Sequence, residues 1–132
     1  MLSGHVNLVA VLVAAVINMV LGAIWFAPQV FGTEWSKLMG CKPEQMQKNA
    51  QKGYPIAAVG ALIESYVLAH LILGLNVSQS LKVGLWVWLA FVAVTLSIGT
   101  VFGGKSWKLW KLDVGYFFVT IVLQVILLAK WH

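Results

Sequence analysis

Few side chains in this sequence can do chemistry, and most of them sit where charge is expensive. Glu64 interrupts the apolar run from Ile56 to Leu75, about two and a half helical turns past Pro55. His70 follows in the same run, and Asn18, Thr95 and Gln124 interrupt three others. A charged carboxylate at the centre of a bilayer costs roughly 2.5–3.5 kcal/mol on insertion scales. Glu64 must therefore face other helices or water, and in its neutral form it could donate to Asn18 or Gln124. Two kinds of chemistry follow. One is a proton or cation relay through Glu64 and His70, with Asn18 and Gln124 lining the path. The other is helix-to-helix hydrogen bonding, each pair worth about 0.6–2 kcal/mol. Metal and hydrolytic chemistry are not expected. Glu64 and His70 lie about 120° apart round a helix and cannot grip one ion from one face. No H-E-x-x-H, G-x-S-x-G or paired carboxylates occur. Cys41 is the one cysteine, an unpaired loop thiol that permits neither an intramolecular disulfide nor a zinc set. The sequence implies no cofactor, no metal and no enzymatic activity.

The elements that must position these groups are membrane spans. Of 132 residues, 61% are hydrophobic and 10% charged, with a mean hydropathy of +0.88. Soluble domains are about half apolar and a quarter charged. Four runs are long enough to cross a bilayer as helices: 6–27, 56–75, 83–102 and 112–129. They are continuously apolar rather than alternating, which excludes barrel strands. The first run lacks a basic leader and is too long for a signal-peptide core, so it reads as a retained helix. The expectation is an all-α membrane protein: one domain spanning 1–132, with four transmembrane helices in a bundle. Pro55 reads as the first residue of the second span and Asn76 to Ser80 as a polar turn, while Gly103-Gly104 ends the third span. Pro43-Glu44-Gln45 reads as a helical first turn, so the first connecting loop is partly helical, with Trp35, Leu38, Met39 and Met46 toward the membrane surface.

The net charge is +5, and every basic residue is Lys. The lack of Arg forks argues against a phosphate or nucleic-acid reader. Lys37, Lys42, Lys48 and Lys52 follow the first span and Lys105, Lys108 and Lys111 the third, against Lys82 and Lys130 on the other side. By the positive-inside rule, loops 28–55 and 103–111 are cytoplasmic and both termini lie outside, in the cell (inner) membrane. Trp25, Trp35, Trp107 and Trp110 mark the inner interface, and Trp86, Trp88 and Trp131 the outer one. Asp113, beside Lys111, reads as an interfacial ion pair or cap. Small residues recur every fourth position at Ala57, Ala61, Ser65 and Ala69, and again at Gly99 and Gly103. Such rows let membrane helices approach closely. A weak internal echo relates Val30-Phe31-Gly32 and Trp35 to Val101-Phe102-Gly103 and Trp107. It suggests two parallel helical hairpins.

Asn18, Gly22, Trp25-Phe26, Pro28, Phe31-Gly32 and Trp35 resemble the opening signature of a bacterial family of small membrane proteins, Domain of Unknown Function 1761. Tyr66-Val67-Leu68-Ala69-His70, then Trp88 and Phe91, and finally Phe102, Lys105-Ser106, Gly115-Tyr116 and Trp131 are similar to its later parts. The family usually has Asn where this chain has Asp113. The resemblance implies four spans and a membrane location, and no activity. Locally, Pro28 restricts Ala27 and Gly32 permits a sharp turn, which would aim Phe31 and Trp35 along the membrane face.

Small size, short loops and small-residue rows favour a structural or accessory protein that packs helices, as a homo-oligomer or a subunit of a larger membrane complex. The alternative is a small oligomeric transporter or channel for protons, cations or a small solute using Glu64 and His70. The lipid bilayer is the partner common to both, and nucleic acid is a partner in neither.

Overall fold

A computed structural model describes residues 6–40 and 42–131. Helix α1 (Leu8–Trp25) leads through a π-helical turn (Pro28–Gly32) into the short α2 (Thr33–Met39). The long α3 (Pro43–Leu71) returns. The third span combines α4 (Val77–Val87), a second π-helical turn (Trp88–Ala93) and α5 (Val94–Gly103), and α6 (Trp107–Lys130) closes the order. Leu8–Trp25, Gln51–Leu71, Val77–Gly103 and Trp107–Lys130 are each long and apolar enough to cross a membrane. The protein is an all-helical membrane protein with four spans, as the apolar runs predict. Cys41 lies outside the described residues, as does the side chain of Met46.

Three boundaries differ from expectation. Pro55 does not begin a helix. Pro43 occupies the first turn of α3, and the helix runs on through Pro55. A proline inside a helix removes one N–H, and exposure of Pro55 lets water or headgroups satisfy the freed carbonyl. Most of the loop after the first span is therefore helix. Asn76 to Ser80 is likewise not a turn. Asn76 caps α4 in a reciprocal capping box with Gln79, so the third span starts six residues before Val83. Asn7, inside the expected first span 6–27, caps α1 by accepting from the Val9 and Ala10 amides at 3.0 and 3.2 Å.

The helices pair as two antiparallel hairpins, α1 with α3 and the third span with α6, which meet along α1 and α6. The burial follows: 44% of the α6 window lies inside, against 22% for α1 and 11% for the third span. At one end, Ala10, Ala14, Leu68, Ala69, Val125 and Ala129 form a dry core. The alanines bring three backbones close where lipid gives no hydrophobic drive. At the lysine-rich end, α1 and α3 instead open a cleft between them. Large rings (Phe26, Trp35, Tyr54, Tyr116) stand there beside small residues (Gly22, Ala23, Gly53, Ala57).

The second π-helical turn has a local reason. Trp88 packs edge-on against Phe118 at 5.1 Å and donates from Nε1 to the Val114 carbonyl at 2.8 Å. Trp110 donates to the Ala93 carbonyl at the end of that turn, at 3.1 Å. The extra residue of a π turn re-aims the helix, here round two indoles wedged against the neighbouring span.

Candidate functional site

The middle of the bundle holds a polar layer, and it joins three helices. Gln124, fully buried on α6, donates from Nε2 to the Ala14 carbonyl of α1 at 2.9 Å and to Ser65 Oγ of α3 at 3.2 Å. One turn of α1 further on, Asn18 Nδ2 donates to Glu64 Oε1 at 3.2 Å. Glu64 thus sits between Asn18 and Gln124. The Tyr116 hydroxyl reaches Asn18 from α6, donating toward its backbone oxygen at 2.9 Å and its Oδ1 at 2.6 Å. The structure brings Asn18, Glu64 and Gln124 side by side.

Tyr116 and Ser65 complete this layer. Tyr116, Thr120 and Gln124 recur every fourth residue and so share one face of α6.

Two expected members are elsewhere. Thr95 is exposed on the outward face of the third span; depth is shared with the layer, but rotation is not. His70 lies on α3 about 9 Å beyond Glu64 and about 120° round. Its ring stacks edge-on against Tyr66 at 4.5 Å, and both ring nitrogens are buried without a hydrogen-bond partner. No described hydrogen bond links His70 to Glu64, so the structure does not assemble the relay.

The small-residue rows also divide. Ala61, Ser65 and Ala69 are buried in the bundle, whereas Ala57 is exposed on the cleft wall. A Cβ on Gly99 would meet nothing within 4 Å, and one on Gly103 only the Lys105 side chain. The row at Gly99 and Gly103 therefore does not pack the chain against itself.

Below the layer lies the cleft, with a volume of about 460 Å³, within the usual range of ligand pockets. Asn18 and Tyr116 form its closed end, and Phe26, Trp35, Tyr54 and Ala57 are among its walls. Phe26 contacts Tyr116 and Trp35 edge-on at 5.3 and 5.5 Å, making a continuous aromatic side. The indoles tie this wall down. Trp25 donates to the Leu112 carbonyl at 3.1 Å, and Trp35 donates to Asp113 Oδ1 at 3.0 Å. Asp113 thus holds α2 on α6, in place of the expected ion pair with Lys111 or helix cap, the cap of α6 being Ser106. Trp88 lies eleven residues into the third span rather than at its outer end, because that span begins at Val77. Trp107 and Trp131 are 52% and 42% exposed, near the start and after the end of α6. Trp107 also packs edge-on against Trp110 at 5.5 Å.

The π-helical turn after α1 fixes where Trp35 stands. The Gly32 and Val30 amides both donate to the Ala27 carbonyl at 2.9 Å. A Cβ on Gly32 would collide with the Phe26 carbonyl oxygen and meet the Ala27 carbonyl carbon at 2.8 Å. Among the described residues no three His, Cys, Asp or Glu side chains are grouped to hold a metal ion.

Asn18, Gly22, Phe26 and Trp35, four of the residues that carry the family resemblance, line this cleft. Comparison with curated proteins finds no match, and neither does comparison with solved structures. The family described as "Protein of unknown function (DUF1761)" matches residues 9–129, nearly the whole chain, and the protein belongs to that family.

Proposed function

We propose that this membrane protein binds a small amphiphilic molecule in the cleft between α1, α3 and α6, as the binding component of a carrier or of a larger membrane assembly. One observation carries the reading: an aromatic cleft of about 460 Å³ ends on a polar pair, Asn18 and Tyr116, with a carboxyl behind it. An apolar pocket with a few convergent polar groups is the usual form of a small-molecule site. Of the transport chemistries, solute binding at Glu64 is retained and a relay through His70 is dropped. The reading is non-enzymatic and requires no cofactor. The lysine bias gives it an orientation, with the cleft at the cytoplasmic side of the cell membrane and both termini outside.

Photolabelling tests it. A diazirine-bearing single-chain amphiphile, added to the protein in nanodiscs, is expected to label peptides containing Met19, Tyr54 and Ala57. Ala57→Trp, which fills the cleft from its exposed wall, is expected to abolish that labelling. Uniform labelling round the bundle, unchanged in Ala57→Trp, would remove the proposal.

A second reading is kept for one observation, the open space over Gly99 on a span whose main partner is α6. In it the third span joins a second copy of the chain. Crosslinking in nanodiscs is expected to trap dimers that Gly99→Leu weakens; monomers alone at all protein densities would dismiss it.

A further inference from the structure

We propose that the occupant of the cleft is an organic monocation with an apolar body, such as a hydrophobic amine or quaternary ammonium, whose charge answers Glu64. The inference rests on the cleft being a ligand site and adds the ligand's charge.

Charge balance is the first argument. An intramembrane carboxylate needs a counter-charge, because burying an unpaired ion is costly. Among the described residues no cation accompanies Glu64. The nearest lysine along α3 is Lys52, about 18 Å away at helical rise. The remaining lysines flank the spans or lie near their ends. His70 faces a different side of the helix. Asp113, the other acid within a span, is already engaged by Trp35. A charged Glu64 therefore takes its counter-charge from outside the chain, and a cation in the cleft favours the charged form over the neutral one.

Hydrogen-bond direction is the second. The hydrogen bonds at the closed end run inward. The Tyr116 hydroxyl donates to Asn18, Asn18 Nδ2 donates to Glu64, and Gln124 Nε2 donates to Ala14 and Ser65. The chain of donation ends on the Glu64 carboxyl, one side chain behind the cleft. A cation there meets the Tyr116 phenolic lone pairs and a negative charge behind them, whereas an anion meets that same charge as repulsion. The walls fit as well, since Phe26, Trp35, Tyr54 and Tyr116 supply ring faces, and cations are attracted to aromatic rings. A compact ammonium with one apolar arm fits the volume.

The test uses the full-length protein in nanodiscs and three probes of one shape: a phenylbutyl-trimethylammonium ion, its neutral tert-butyl isostere, and a phenylbutyl sulfonate. Saturable binding is read by isothermal titration against empty nanodiscs, which removes simple partition into lipid. The ammonium is expected to bind at least tenfold tighter than the isostere, and the sulfonate not at all. Glu64→Gln keeps the shape and an acceptor for Asn18 and is expected to erase the ammonium's advantage. Ala57→Trp is expected to remove binding of both. Thermal midpoints of the variants separate loss of binding from loss of fold. Equal binding of ammonium and isostere, or an advantage that survives Glu64→Gln in a folded variant, would overturn the charge assignment and leave the cleft reading standing. Saturable binding of none of the probes would overturn both.

Discussion

Substituting Gly32 by alanine tests the geometry that sets the cleft wall. The new Cβ would run into the Phe26 carbonyl, which is backbone and cannot rotate away. The turn must open. Two backbone hydrogen bonds to the Ala27 oxygen are then lost, each worth about 0.5–1.5 kcal/mol. Displacing α2 also breaks the Trp35–Asp113 bond, about 1.5–3 kcal/mol for a bond to a charged group, and the Phe26–Trp35 edge contact, about 0.5–1.5 kcal/mol. Interhelical hydrogen bonds in membranes run toward the low end of such ranges. Taking the low end throughout, Gly32→Ala is expected to cost about 3 kcal/mol. The assay is reversible unfolding in mixed micelles, or steric trapping in bicelles. Gly60→Ala is the control, because a Cβ there meets nothing within 4 Å and replacing a helical glycine should stabilise by about 0.5–1 kcal/mol. If Gly32→Ala falls within about 0.5 kcal/mol of the parent, the turn is not as described and neither is the placement of Trp35.

Other substitutions probe the interior and the orientation. Gln124→Leu loses two hydrogen bonds but also removes a buried Oε1 that has no partner. Its net cost in the same unfolding assay is expected to be about 1 kcal/mol or less; a loss above about 3 kcal/mol would mean that Gln124 does more than clasp helices. Gly84→Ala would put a Cβ 3.0 and 3.3 Å from the Val125 and Ile121 side chains. Overpacking of this kind is expected to cost about 1–3 kcal/mol, loosening the third span from α6, and a stabilised variant would contradict that contact. The orientation is testable with the native cysteine: Cys41 in intact cells is expected to resist a membrane-impermeant maleimide and to react once the membrane is opened. Equal labelling in both states would reverse the orientation.

What could be read from the sequence alone was local. A span is a length of apolar chain, and a lysine bias is a count, so neither depends on how helices rotate. The four spans, the first turn at Pro43, the helix stop at Gly103-Gly104 and the depth of Asn18, Glu64 and Gln124 all follow from position along the chain. Pro55, Asn76 and Asn7 misled because each residue type has two common roles, and the choice between them depends on what lies outside the helix. Rotation and neighbours were decided by tertiary packing. Thr95 and Glu64 are both polar residues within spans, yet one faces outward and the other meets Asn18. The tryptophans carry one signal whether they float at headgroup level or donate into a neighbouring backbone, as Trp25, Trp35, Trp88 and Trp110 do. Alanines bring α1, α3 and α6 together at one end while large rings line the opening at the other. No single helix specifies that difference in spacing; it exists only once the three are packed, and the cleft with its polar closed end is the result.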